Sequence, residues 1–272
     1  MKLLFCVNKD IHSFVFIRGL LEHFKPFKYS IFYTSGVGKS SVQPPTLLQE
    51  LTFIERTFPS QLEVEDSSLF WNVFHASAIR MLEVSSFSPQ DLYAAMQDEA
   101  PDVVISVRFG KIFKGNTLSI AKHPILNMHS GLLPQYRGIL GTFWSFLHQQ
   151  PYYGYTIHTI DDATIDTGRI LHQKRYPTQE AGSLFSAIHG LYKPASEQMI
   201  GLLKHVETHG ILPSGHPQEG VGAYYSTPTM QDCDLFCTQS IRSVYTKEDL
   251  KVVRELLSVP SVLRNIKKHN QT

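Results

Sequence analysis

Hydrophobic and polar positions fall into two alternating periods along the first half of the chain. Lys2 to Asn8 is a short apolar run ending in polar residues, and from Ser13 onward Phe14, Ile17, Leu20, Leu21 and Phe24 recur at helical spacing. That pair reads as a strand followed by a helix. The same reading gives strands at 29–34, 61–64, 103–107 and 126–129, separated by helices at 45–58, 67–83 and 89–99. Strands alternating with helices predict an α/β fold, a mostly parallel sheet covered by helices on both faces. In such sheets ligands bind beyond the carboxyl ends of the strands, so the residues after Val107 and around Asn127 draw attention.

From residue 142 the pattern predicts a helix to Gln149, two strands at 153–160 and 169–176, and a long helix from Ser183 to about His209. Lys193-Pro194 falls inside that helix and predicts a kink or break, because proline removes a helical hydrogen bond. Gly210 to Gly222, rich in Gly and Pro, reads as a linker. The chain therefore divides into a unit over residues 1–210 and a small appendage over 211–272, suited to substrate binding or to pairing two copies.

Composition narrows the class. With 42% hydrophobic and 18% charged residues the chain can bury a core, which excludes disorder and fibrous repeats. A formal charge of +1 supplies no global field to hold a nucleic acid or an anionic membrane. The uncharged stretch from Gly138 to Ile160 is interrupted by His148, Gln149, Gln150, Pro151 and Gly154, so it reads as buried core rather than a membrane span. Cys6, Cys233 and Cys237 form an odd set without a metal-type cluster, which fits a reducing, cytoplasmic setting better than a disulfide framework. MKLLFCVNKD is too short an apolar run for a signal peptide.

Ser35 to Ser41 (SGVGKSS) imitates a phosphate-binding loop, but that pattern needs glycine where Tyr33 stands, and Pro44 and Pro45 interrupt the helix that should follow. No Gly-x-Gly-x-x-Gly follows the first strand, so a Rossmann-like sheet here need not hold a dinucleotide.

The densest chemistry lies in Asn127-Met-His129-Ser-Gly-Leu-Leu-Pro134-Gln-Tyr136-Arg137-Gly138. Two apart on a strand, Asn127 and His129 share one face. Downstream, Asp161-Asp162-Ala-Thr-Ile-Asp166-Thr-Gly168 sits between two strands and offers a carboxylate to the imidazole; the same aspartates also suit a plain turn. Amide, imidazole and carboxylate together suit acyl transfer to an amine. Asn127 can donate to the carbonyl oxygen as charge develops, an effect of roughly 3 to 4 kcal/mol in comparable sites. His129 can move protons, and Asp166 can fix its orientation. No serine or cysteine nucleophile is required.

These segments resemble the formyltransferases that use N10-formyltetrahydrofolate. The resemblance rests on Asn127-x-His129, Leu132-Leu133-Pro134-x-Tyr136-Arg137-Gly138, Gly154-Tyr-Thr-Ile-His158 and Asp166-Thr-Gly168-x-Ile170-Leu171 in order, and extends loosely over residues 1 to 210. It implies catalytic roles for Asn127, His129 and Asp166. It also implies a folate pocket built from Phe109, Gly110, Lys111, Ile112 and Phe113, closed on its other side by backbone around Thr164, although Ile112 and Phe113 equally suit an ordinary core.

His-Ser-Gly-Leu-Leu-Pro and the tail segment Tyr224-Tyr225-Ser-Thr-Pro228-Thr229 are most similar to the sugar-amine branch, which implies a nucleotide-linked amino sugar as acceptor. Tyr224 and Tyr225 then stack on a base or sugar, or else pin the appendage; Arg137 meets an anionic group, or braces its loop. The competing functions are formyltetrahydrofolate hydrolysis, methionyl-tRNA formylation and a folate-dependent binding module. The local basicity of Arg264, Lys267, Lys268 and His269 is the one feature favouring tRNA.

Overall fold

The computed structural model describes residues 1–25, 28–36, 43–65, 70–76, 79–220, 222–239 and 242–258. Residues 37–41 of the phosphate-loop imitation and the basic tail from Arg264 to His269 lie outside them. The first unit is β1 (Lys2–Asn8), α1 (Ile11–His23) and β2 (Lys28–Thr34). Asp10 starts α1 by accepting the Ser13 N–H at 2.9 Å, which satisfies one of the helix's free donors. Then come α2 (Thr46–Thr52), a π-helical turn at Phe53–Thr57, α3 (Phe58–Glu65), α4 (Asn72–Ala76), β3 (Arg80–Glu83), α5 (Pro89–Glu99), β4 (Val103–Val107) and β5 (Ile125–His129). The second half runs β6 (Tyr136–Gly138), α6 (Gly141–Leu147), β7 (Tyr152–Ile160), β8 (Ile170–Pro177), α7 (Leu184–His189), α8 (Tyr192–His209), β9 (Ala223–Tyr225), α9 (Met230–Gln239) and α10 (Lys247–Ser258).

Seven strands form one sheet in the order β3-β2-β1-β4-β5-β7-β8. The first five run parallel; β7 and β8 are antiparallel to their neighbours. Alternation along β1 sends Leu3, Phe5 and Val7 into a large core with α1 and α8, and Leu4 and Cys6 into a smaller one with Leu92 and Met96 of α5 and Phe113. The sheet is thus covered on both faces. Strand order reverses between β1 and β4, which places the switch point at Asn8 and Arg108.

Three expectations need correction. Residues 61–64 are helical, within α3: Pro59 and Leu62 turn inward at helical spacing while Val64, which made the segment look strand-like, is 87% exposed. The helix expected over 67–83 ends early, and Arg80–Glu83 instead adds a short edge strand beside β2; residues 66–69 and 77–78 are outside the described set. The long helix does break, but at Gly190-Leu191. Pro194 sits in the first turn of α8, where a missing N–H costs no helical bond.

The segment after residue 210 is bound to the rest of the molecule. β9 pairs in parallel with β6, Phe236 of α9 stacks on Phe143 of α6 at 4.9 Å, and Asp249 of α10 accepts from Ser183 at 2.7 Å. Cys6 and Cys233 are buried thiols and Cys237 is exposed. No helix among the described residues is long and apolar enough to cross a membrane.

Candidate active site

Strand periodicity brings the first two groups together and the antiparallel turn of the sheet brings the third. β5 carries Asn127 and His129 at its carboxyl end, paired on one side with Ser106 and Val107 of β4 and on the other with β7. In that second pairing Asn127 lies opposite His158. The chain leaves β7, loops through residues 161–169 and returns along β8, carrying Asp166 in a left-handed conformation with φ of 55°. Gly168 makes the return possible, since a side-chain carbon there would lie 1.7 Å from the Thr159 carbonyl oxygen.

Four side chains converge. Asp166 Oδ2 lies 3.4 Å from His129 Nδ1 and accepts the Gly138 N–H at 2.8 Å; its Oδ1 lies 3.3 Å from His158 Nε2 and accepts from Asn127 Nδ2 at 3.3 Å. Asn127 Nδ2 is 3.0 Å from His158 Nε2. The partners fix the tautomers. His129 Nε2 sits 2.6 Å from the Tyr136 carbonyl oxygen and His158 Nδ1 sits 2.7 Å from that of Thr159, so each of these nitrogens carries the proton. The ring nitrogens facing Asp166 are then bare until an imidazole takes up a second proton. Burial alone would raise the Asp166 carboxyl, but His129 and His158 in their protonated forms, the second through a hydrogen bond as well as its charge, and the Gly138 N–H together hold it well below the usual carboxylate range. Both nitrogens of His129 are engaged, so exchange of a proton with a ligand requires the Tyr136 contact to open.

The loop over the next strand starts from a second charged cluster. Arg108, at φ of 55°, bonds Asp10 Oδ2 at 2.8 Å and Glu55 Oε2 at 2.7 Å, and His12 Nε2 reaches Glu55 Oε1 at 2.9 Å. His12 stacks on Tyr192, with ring centres 4.8 Å apart, and its Nδ1 lies 3.3 Å from His189 Nδ1. Beyond Arg108, the Gly110 N–H donates to Thr34 Oγ1 at 3.1 Å and Lys111 Nζ to the Phe87 carbonyl oxygen at 2.7 Å. Phe113 is buried and stacks on Phe109 at 5.4 Å, whereas Ile112 is 56% exposed. The loop therefore offers one free apolar side chain on a fastened backbone, one strand away from Asn127 and His129.

On the other side, Thr164 is exposed in a turn closed by its own N–H to Asp162 Oδ1 at 2.6 Å. Arg137 and Tyr224 are register partners in the β6–β9 pair, and the Arg137 guanidinium donates to the Gly222 carbonyl oxygen at 3.2 Å. Tyr224 is 53% exposed; Tyr225 stacks on Trp144 at 4.9 Å and on Tyr136 at 5.4 Å. Gly138 joins the two sides: its φ is 98°, its N–H holds Asp166, and a side-chain carbon there would lie 2.1 Å from the Tyr225 carbonyl oxygen.

The sequence reading passed over His158 as a site residue. Its signal was present, since a histidine on a strand as apolar as 153–160 needs a polar partner. The Arg108 cluster had no comparable signal, because its partners lie 98 and 53 residues away.

The profile of the formyl transferase family matches residues 59–191. Among curated proteins, a GDP-perosamine N-formyltransferase from Brucella melitensis is 30% identical over 126 residues, 46% of this chain and 47% of that one. A methionyl-tRNA formyltransferase from Deinococcus radiodurans is also 30% identical, over 43% of this chain and 37% of its own. The chain thus matches less than half the length of either relative. Among solved structures, an N-formyltransferase from Helicobacter canadensis, in complex with folinic acid and dTDP-3-aminofucose, superimposes with a TM-score of 0.59 at 19% identity, covering 91% of this chain and 82% of that one. That likeness is one of fold.

Proposed function

We propose that this chain, whose residues 59–191 match the formyl transferase family, moves a formyl group from N10-formyltetrahydrofolate to the primary amine of a nucleotide-linked amino sugar. The observation that carries the reading is the convergence of Asn127, His129 and Asp166 at the end of β5. The sugar acceptor is supported by the GDP-perosamine N-formyltransferase among the relatives and by the tail segment around Tyr224. In this reading residues 1–210 are the catalytic unit, 211–272 serve the acceptor or pair two copies, and the setting is cytoplasmic.

The donor fits the residues present. Ile112 is an exposed apolar wall on a loop held in place through Gly110 and Lys111, in which Phe109 and Phe113 stack on each other. In this reading the exposed Thr164 and neighbouring backbone close the other side. The folate, when bound, supplies the formyl carbon.

The protein's part is then as follows. The Asn127 amide leaves His158 and Asp166 to donate to the carbonyl oxygen under attack, where a preorganised donor acts most strongly as charge builds. One C–N bond forms to the acceptor nitrogen and one breaks at N10, so one proton leaves the acceptor and one is delivered to N10. His129 carries that proton once the Tyr136 contact opens and its own proton moves to Nδ1, and Asp166 beside Nδ1 stabilises the imidazolium formed meanwhile. When protonated, His158 donates from Nε2 to the far oxygen of Asp166. Arg137 and Tyr224 face the acceptor, as anion partner and stacking surface.

The test is a release assay on the full chain. N10-formyltetrahydrofolate is offered with a panel of aminosugar nucleotides, with methionyl-tRNA and with buffer alone, and tetrahydrofolate is followed by absorbance. Release that depends on an aminosugar supports the reading. Release in buffer alone makes the chain a hydrolase, and release only with tRNA moves it to the other branch.

A further inference from the structure

Residues 210–222 read as a linker, but part of the segment is a strap over the catalytic loop. The N–H and carbonyl of His216 exchange hydrogen bonds with Ile170 at the start of β8, at 3.0 and 2.8 Å. The Arg169 guanidinium donates to the Gly215 carbonyl oxygen. From the strap, Gln218 Nε2 reaches two carbonyl oxygens at once, that of Asp166 at 2.7 Å and that of Gly168 at 2.9 Å. A carboxamide nitrogen has two hydrogens, so both are used.

The two carbonyls belong to the residues whose backbone decides where the Asp166 carboxylate points. Asp166 is a non-glycine residue at φ of 55°, a strained conformation that persists only where the surroundings impose it. On the β7 side Gly168 rests against Thr159, and the Arg169 N–H donates to Thr159 Oγ1 at 2.9 Å. Gln218 holds the opposite side. Released there, the backbone relaxes toward ordinary angles and swings the carboxylate away from two rings that it now meets at 3.3 and 3.4 Å.

We propose that Gln218 is a positioning residue for the reaction: it fixes the left-handed turn at Asp166 and so sets the carboxylate against His129 and His158. The proposal rests on the reading of Asp166 as part of the catalytic trio. Gln218 touches backbone only, is half-exposed and fills no core, so its removal should spare the fold.

The full chain is compared as wild type, Gln218→Leu, which keeps the bulk and loses both donors, and Asp166→Asn. The readout independent of activity is the ring ¹⁵N signals of the histidines. In Gln218→Leu the His129 and His158 signals should move toward their positions in Asp166→Asn, while those of His205 and His209 on α8 stay put. In the transfer assay kcat should fall roughly tenfold or more, as small displacements of reacting groups do, with both KM values within about threefold. Unmoved His129 and His158 signals in the folded variant overturn the proposal. So does a lowered melting temperature with all histidine signals shifted, or a rise in KM at constant kcat, since each marks a merely structural or binding role. If the wild type transfers no formyl group, the proposed function falls and the ring signals alone decide whether Gln218 positions Asp166.

Discussion

Two clusters of charge sit at the carboxyl ends of neighbouring strands, and they are built on opposite principles. At β1 and β4 a guanidinium lies between Asp10 and Glu55, with the tilted rings of His12 and His189 behind. Burial alone would raise the Glu55 carboxyl, but Arg108 and His12 bring it well below the usual carboxylate range, while burial and His12 push His189 down to about 3. An arginine does not lose its proton in a protein, so the central charge of that cluster is permanent. At β5 and β7 no guanidinium stands beside Asp166, and the carboxylate faces imidazoles alone, the side chain suited to gain and lose a proton. The first cluster is fitted to hold the start of the Phe109–Phe113 loop, the second to exchange a proton. Similar residue types, differing in one cation, separate a fastening from a reaction centre.

The comparison breaks most readily at the fastening. Arg108→Met strands two buried carboxylates and should cost about 3 to 5 kcal/mol in urea unfolding, with the fold lost altogether if the chain's margin is small. A cost under 1 kcal/mol would mean that the cluster holds nothing. In the other cluster the large effect belongs to rate: Asn127→Ala should lower turnover roughly a hundredfold, near 3 kcal/mol, with affinity for a folate analogue little changed. Equal activity would remove the amide from the mechanism. Ile112→Asp lies between the two. It places a charge on an exposed position, so stability should hold while folate-analogue affinity falls about tenfold or more by calorimetry; unchanged affinity in the folded variant would put the donor elsewhere.

The smallest effect is on acid stability. Asp166 and Glu55 both titrate lower in the folded chain than in the unfolded one, so the unfolded state binds protons first as pH falls. The stabilisation they supply is complete above the ordinary carboxylate range and drains away from about pH 5 downward. Asp166→Asn should flatten that decline in urea midpoints measured between pH 7 and 3.5. An identical decline in both proteins would show that Asp166 takes no part in it.

What the sequence disclosed follows from the range of the interactions. Central strands β1, β4 and β7 were legible because burial makes them near-continuous apolar runs. β3 was not, because four residues on an edge, two of them exposed, carry no period. β6 and β9, three residues each, exist through pairing across 87 positions and have no local signature. In the site, Asn127 and His129 were readable from strand alternation, and Asp166 from its place in a linked set of segments. The Gly138 N–H and Gln218 could not be read, since a backbone donor and a loop carboxamide acquire their meaning only from partners 28 and 52 residues away.

The strap at 215–218 also bears on the order in which the chain is made. All seven strands of the sheet have been synthesised by Pro177, and α8 is finished at His209. The contacts of His216, Gln218 and Tyr225 with the corner holding Asp166 and Gly138 come later still. On a ribosome, where domains gather from the amino end, the sheet therefore precedes its reactive corner, and a nascent chain arrested near residue 210 has the scaffold without the last braces of its chemistry.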